Sequence, residues 1–169
     1  MQLVEKTMEV LKKMKRKKKK KELLEKLNMA LDDMGNPKCC TRTITKDIIV
    51  TATKLFPGQD YGNAETGYMN IDQLCKLRRK LEKQFAKIDK KKRKRRLFIN
   101  LYRALDFKGL PKLCTRKVTK EVIMEAEQLF PGKNYGNAET GVMKTKALYK
   151  LRKKLQKKYN KKRKGSHKK

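Results

Sequence analysis

Residues 21–90 align with residues 95–164 at a constant offset of 74, without a gap, and about half of the positions are identical. Self-similarity at a fixed period marks repeated structural units, so one shape has to satisfy both stretches. The longest shared block is LFPGQDYGNAETGYM at 55–69 against LFPGKNYGNAETGVM at 129–143. Pro37 and Pro111, Cys40 and Cys114, Thr41 and Thr115, Arg42 and Arg116, and Thr45 and Thr119 also match.

Each copy reads as three helices. Leu23, Leu24, Leu27, Ala30, Leu31 and Met34 recur at helical spacing, and Gly35, Asn36 and Pro37 end that helix. Thr45 is the expected N-cap of a short second helix with the stripe Ile48, Ile49, Ala52, Leu55 and Phe56. Pro57 and Gly58 stop it, and a loop through Gly67 leads to a third helix with Leu74, Leu77, Leu81, Phe85 and Ile88 on one face. The second copy repeats the pattern, with Leu97, Leu101 and Leu105, then Val122, Ile123 and Leu129, then Leu148, Leu151 and Leu155. No segment sustains strand alternation.

The expected fold is therefore all-α, a tandem duplication of a three-helix module of about 70 residues. With no Gly or Pro between Met69 and Lys108, helix three of the first copy is expected to run on as one continuous basic helix into the second. It would be roughly 55–60 Å long at 1.5 Å per residue. The organisation is then a basic amphipathic extension at 1–20, copy one at 21–90, a basic helical linker at 91–96, copy two at 95–164 and a basic tail at 165–169. In the extension Leu3, Leu11 and Met14 suggest a remnant half-module or a docking helix.

Charge narrows the function. The chain has 49 Lys+Arg against 17 Asp+Glu, a formal net charge of +32 on 169 residues. Self-repulsion on that scale calls for a polyanionic partner. Helix three of copy one gathers Lys76, Arg79, Lys80, Lys83, Lys87 and Lys90 within about 100° of arc, opposite the apolar stripe. Copy two gives Lys150, Lys153, Lys154, Lys157, Lys161 and Lys164 on the same face. Ordinary solvated helices mix signs for i,i+4 pairing, and this face does not. Basic runs at 15–21, including Arg16, Lys17, Lys18, Lys19 and Lys20, and at 90–96, including Arg93, Arg95 and Arg96, precede helix one of each copy. A further cluster at 161–164 with Lys168 and Lys169 closes the chain. Nearly pure Lys/Arg faces favour point-charge contact with phosphate over bidentate reading of base edges. The eleven aromatics (six Tyr, five Phe) fall mostly on apolar stripes, which argues against a single-strand stacking platform.

The shared loop, with Pro57, Gly58, Tyr61, Gly62, Asn63, Glu65 and Gly67 matched by Pro131, Gly132, Tyr135, Gly136, Asn137, Glu139 and Gly141, is expected to be a structural clasp. Its glycines suit a phosphate nest, but Glu65 and Glu139 would repel an anion there. Glu65 is expected to pair with Arg78 or Arg42.

Nothing points to catalysis, a cofactor or a small-molecule substrate. The only histidine, His167, and the only serine, Ser166, sit in the tail, and there is no phosphate-cradling G-x-x-x-x-G-K-S/T loop. Cys39, Cys40, Cys75 and Cys114 lack metal-site spacing, so no metal is expected. Asp60 becomes Asn134 and Asp72 becomes Lys146, so neither acid is required by the module. The first 20 residues lack the apolar core of a signal peptide, and no apolar run reaches the roughly 18 residues of a membrane span. The expectation is an intracellular, non-enzymatic, nucleic-acid-binding architectural protein that contacts the phosphate backbone largely without sequence preference. DNA ranks ahead of RNA, and the expected location is the nucleus or a virion or other nucleoprotein particle, not outside the cell. The alternative is a basic structural subunit of a large assembly, a virion or ribonucleoprotein, whose modules contact protein neighbours. Membrane-surface binding ranks last.

Overall fold

The computed structural model describes the backbone of residues 2–166 and the side chains of residues 3–160. In chain order it contains α1 (Gln2–Ala30), α2 (Arg42–Leu55), β1 (Gly62–Asn63), β2 (Tyr68–Met69), α3 (Ile71–Ala104), α4 (Arg116–Leu129), β3 (Gly136–Asn137), β4 (Val142–Met143) and α5 (Thr145–Ser166). Among the described residues the fold is all-α apart from two hairpins of two-residue strands, which replace the plain loop expected after each Pro-Gly. It divides into two compact units, Met1–Ala86 and Lys87–Lys169, and passes from one to the other within α3.

In the first unit the core is built from Leu23, Leu27, Ala30 and Leu31 of α1 and the residue after it, Ile48, Ile49, Ala52 and Leu55 of α2, Tyr61, and Leu74, Leu77 and Leu81 of α3. These are the stripes that the helical period sets, and removing them from water is the main driving force for the unit. α1 ends four residues before Met34, which is 86% exposed and not part of the stripe. The reason is a turn that competes with the helix. Leu31 bridges to Pro37, and the Asp32 carboxylate accepts the Asn36 backbone N–H at 2.7 Å and its side-chain amide at 3.1 Å. Those bonds hold the Asp32 carboxyl below its usual pKa.

The cap of α2 also differs from the expected Thr45. Thr41 is extended (φ −68°, ψ 149°), and its hydroxyl accepts the Ile44 N–H. Thr45 lies inside the first turn and donates back to the Arg42 carbonyl at 2.9 Å. At the other end the Phe56 N–H closes on the Ala52 carbonyl, and Pro57 bars Phe56 from helical angles. Near the N-terminus α1 shows no break at residue 20. Leu3, Leu11 and Met14 are 80%, 51% and 63% exposed, so they dock on nothing within their unit.

The second unit has its own core from Leu97, Leu101, Ala104, Leu105, Val122, Ile123, Ala126, Leu129, Tyr135, Leu148, Leu151 and Leu155. Thr115 caps α4 through the Val118 N–H, and Thr119 donates to Arg116.

In each unit the shared loop folds as a hairpin. The Asn63 side-chain oxygen accepts the N–H groups of Glu65 (2.8 Å) and Thr66 (3.1 Å), and Asn137 does the same for Glu139 and Thr140. Gly62 sits at φ +120°, where an added Cβ would lie 2.1 Å from the Tyr68 carbonyl. The expected ion pairs of Glu65 do not form. Arg42 donates to the Glu65 backbone carbonyl at 2.8 Å, tying the hairpin to α2, and Arg116 treats Glu139 alike. Arg78, which is 8% exposed, instead donates to the carbonyls of Leu31 (3.3 Å), Asp32 (2.7 Å) and Asp33 (3.4 Å). Those carbonyls belong to the turn that follows α1, and a guanidinium suits the negative end of a helix. Arg152 does the same for Leu105 and Phe107.

Candidate nucleic-acid interface

Two kinds of basic residue emerge. Arg78 and Arg152 are buried and spent on backbone carbonyls. Lys76, Arg79, Lys80, Lys83, Lys87 and Lys90 on α3, and Lys150, Lys153, Lys154 and Lys157 on α5, are all exposed. Among the described residues none of these ten forms an ion pair. The side chains of Lys161 and Lys164, and residues His167, Lys168 and Lys169, lie outside the described residues.

The basic runs ahead of helix one behave less uniformly. Arg16 donates to the Leu55 carbonyl at the end of α2 (3.2 Å), and Lys18 pairs with Glu22 at 3.9 Å. Lys17 and Lys19 are exposed, as are Arg95 and Arg96. Arg93 departs from the expectation of a phosphate contact. Its guanidinium is paired with Glu125 at 3.0 Å and also bonded to Gln128, so α4 already neutralises it.

The fold adds a juxtaposition that helical periodicity alone does not show. In the first unit the Nζ of Lys20 lies 4.9 Å, and that of Lys80 5.5 Å, from the centre of the Phe56 ring. In the second, Lys94 and Lys154 stand 5.1 Å and 5.9 Å from the Phe130 ring. The basic run and the α3 or α5 row thus converge on the phenylalanine that ends the middle helix. The ring's negative face holds the amines without neutralising them. Burial, with Arg16 and Lys80 nearby, pushes the Lys20 ammonium below its ordinary pKa. Burial also lowers Lys94, with Lys158, Lys90 and Lys154 adding repulsion. Like charges held together at such a cost favour binding of an anion that relieves the repulsion.

Comparison with protein-family models, with curated proteins and with solved structures gives no match to this chain.

Lys94 and Lys158 were missed in the sequence reading. Lys94 is 74 residues after Lys20, so the repeat held the signal. Lys158 replaces Gln84 and carried none. The shared loop contributes no basic side chain to either cluster. Among the described residues no group of three or more His, Cys, Asp or Glu is placed to hold a metal ion, and no helix is long and apolar enough to cross a membrane. The four cysteines are free thiols. Cys40, Cys75 and Cys114 pack against the cores.

Proposed function

We propose that the protein is a non-enzymatic, nucleic-acid-binding architectural protein. It contacts the phosphate backbone with little sequence preference and bridges or condenses DNA, or structured RNA, in the nucleus or in a nucleoprotein particle. The observation that carries this reading is the row of ten exposed lysines and arginine on α3 and α5 with no acidic partner. Each ammonium that neutralises a phosphate releases condensed counterions, which supplies affinity without reference to sequence.

We also infer a tandem duplication of one three-helix module, with modules at 21–90 and 95–164, so that one chain holds two polyanion-binding surfaces. The recurrence of roles at an offset of 74 supports this: Thr41 with Thr115, Arg78 with Arg152, and Lys20, Phe56 and Lys80 with Lys94, Phe130 and Lys154.

A second reading, a structural subunit of a large assembly, is favoured by exposed apolar side chains. Leu3 and Met14 on α1 are two examples, and Phe107, Leu110 and Leu113 (80%, 58% and 109% exposed) crown the turn after α3. Binding to duplex DNA, duplex RNA and heparin from about 50 to 500 mM salt separates the two. The architectural reading expects log affinity to fall linearly with log salt, with a slope equivalent to roughly 6–10 phosphates. Alanine at Lys76, Arg79, Lys80 and Lys83 should flatten it. Nucleic acids binding no better than heparin, with that variant unchanged, would leave the assembly reading.

A further inference from the structure

The two units differ in charge at one matching place. In the second unit the loop after α4 and the first turns of α5 enclose a cleft of about 540 Å³. Its walls include Lys133, Lys146, Lys150 and Lys154, with Asn134 between them, and no carboxylate. The matching positions of the first unit are Gln59, Asp72, Lys76, Lys80 and Asp60. That set holds two lysines against two carboxylates, where the second unit holds four lysines and no carboxylate, and Asp60 and Asp72 also line a separate cleft of about 910 Å³ beside the hairpin.

Two details show that this is more than a change in surface charge. Asp60 and Asn134 make the same turn, each side-chain oxygen accepting the N–H of the following glycine at 2.9 Å. With that oxygen committed, Asp60 offers its cleft a second carboxylate oxygen, whereas Asn134 offers an N–H donor. The swap turns an acceptor into a donor without disturbing the hairpin. The second detail is Lys146. It stands in the first turn of α5, where the helix dipole disfavours a cation, whereas α3 carries Asp72 in its first turn, as the dipole prefers. The lysine and the free N–H groups of the α5 terminus therefore add to one positive potential.

We infer that the cleft at Lys133, Lys146, Lys150 and Lys154 is a phosphate-binding site, occupied by a phosphodiester of the bound nucleic acid, and that the corresponding surface of the first unit is closed to phosphate by its carboxylates. This rests on the backbone-binding reading and gives it a direction: the second unit anchors the polyanion, and the first contacts it only through the lysine row and the Phe56 cluster. Lys154 belongs to both the cleft and the Phe130 cluster, so the anchor is continuous with the α5 row.

The test uses the full chain with inorganic phosphate and with a duplex DNA as separate probes. Inorganic phosphate should shift the backbone amide resonances of Asn134, Lys146 and Ala147 saturably and leave those of Asp60, Asp72 and Gln73 in place. The variant K133Q/K146D, which gives the second unit the first unit's residues, should abolish those shifts. It should also lower the DNA salt slope by about 1–2, while Q59K/D72K raises it. Because Asp suits a helix N-terminus, K133Q/K146D should melt no lower than the parent. A charge-matched pair of exposed residues outside the cleft, K6Q/K117D, sets the effect of net charge alone. Equal phosphate shifts in both units, no shifts at all, or a K133Q/K146D slope no different from that of K6Q/K117D overturns the inference while strong salt-dependent DNA binding still stands. Absence of DNA binding by the parent overturns the backbone-binding reading instead, and the phosphate titration then judges the cleft alone.

Discussion

Replacing Arg152 with methionine tests whether the buried arginines are structural caps or part of the polyanion surface. The guanidinium is on a residue only 4% exposed, donates to the Leu105 carbonyl at 2.9 Å and to the Phe107 carbonyl at 3.4 Å, and lies 4.8 Å and 5.0 Å from the Tyr102 and Tyr149 rings. Methionine keeps most of the aliphatic packing and removes every donor. A hydrogen bond from a charged group contributes about 1.5–3 kcal/mol, and its loss strands a buried carbonyl. The longer contact belongs at the weak end of that range, and each cation–π contact adds about 0.5–1 kcal/mol. Together these put the expected loss at about 4–6 kcal/mol. Lysine keeps the charge and one bond but not the fork, so Arg152→Lys should lose roughly half as much.

With two units in one chain, a single melting curve is not a safe readout. Urea unfolding followed by resolved amide resonances is better, with Ile123 and Ala126 reporting on the second core and Ile49 and Ala52 on the first. The second-unit reporters should show the larger loss, and the DNA salt slope of the folded variant should be unchanged. A loss below about 1 kcal/mol would refute the capping account. So would methionine and lysine variants of equal stability. A slope reduced by one phosphate equivalent would make Arg152 a backbone contact after all.

Three further outcomes follow from the same structure. Gly62→Ala and Gly136→Ala place a Cβ within 2.1 Å and 2.2 Å of a carbonyl oxygen at φ +120° and +135°, so each should destabilise its hairpin well beyond Gly58→Ala. At Gly58 (φ +92°) nothing lies within 4 Å, so only backbone strain of about 1–2 kcal/mol remains, which urea midpoints would show. Thr41→Ala and Thr115→Ala should each cost about 1 kcal/mol by removing the N-cap acceptor of α2 or α4, read by the same unfolding series. Lys20 and Lys94 have folded pKa values below the ordinary 10.5, so in the alkaline window just under that value the unfolded chain binds more protons. These two amines should therefore contribute a rise of stability with pH there, opposed by buried Tyr61 and Tyr135, whose raised pKa keeps protons on the folded chain. Binding of a polyanion, which restores the charged amines, should weaken as pH rises through the same window. Relative to the parent, the double variant Lys20→Met/Lys94→Met should show a smaller rise of stability with pH and a shallower pH dependence of DNA binding.

The helices, their buried faces and the one-signed rows of α3 and α5 were legible in the sequence, because a 3.6-residue period is a local property of the chain. Leu74, Leu77 and Leu81 announce a buried face, and Lys76, Lys80 and Lys83 an exposed one, whatever the partner helix is. The repeat also set which positions should correspond. What it could not set is which groups meet across loops. Arg78 was recognisable as a residue beside the apolar stripe, but its acceptors are carbonyls of the turn after α1, and backbone acceptors leave no mark on side-chain patterns. Thr41 and Thr45 were both eligible to cap α2, and only the extended angles at Thr41 decided between them. Arg93 looked like its neighbours in the basic run until Glu125 was placed against it. The convergence of Lys20 with Lys80, and of Lys94 with Lys154, depends on how the helices of each unit pack around the middle one. Amino-acid order thus determined which faces are apolar and which are cationic. Only the tertiary structure decided which cations are spent on the backbone and which are gathered for a partner, because that depends on distances between residues far apart in the chain.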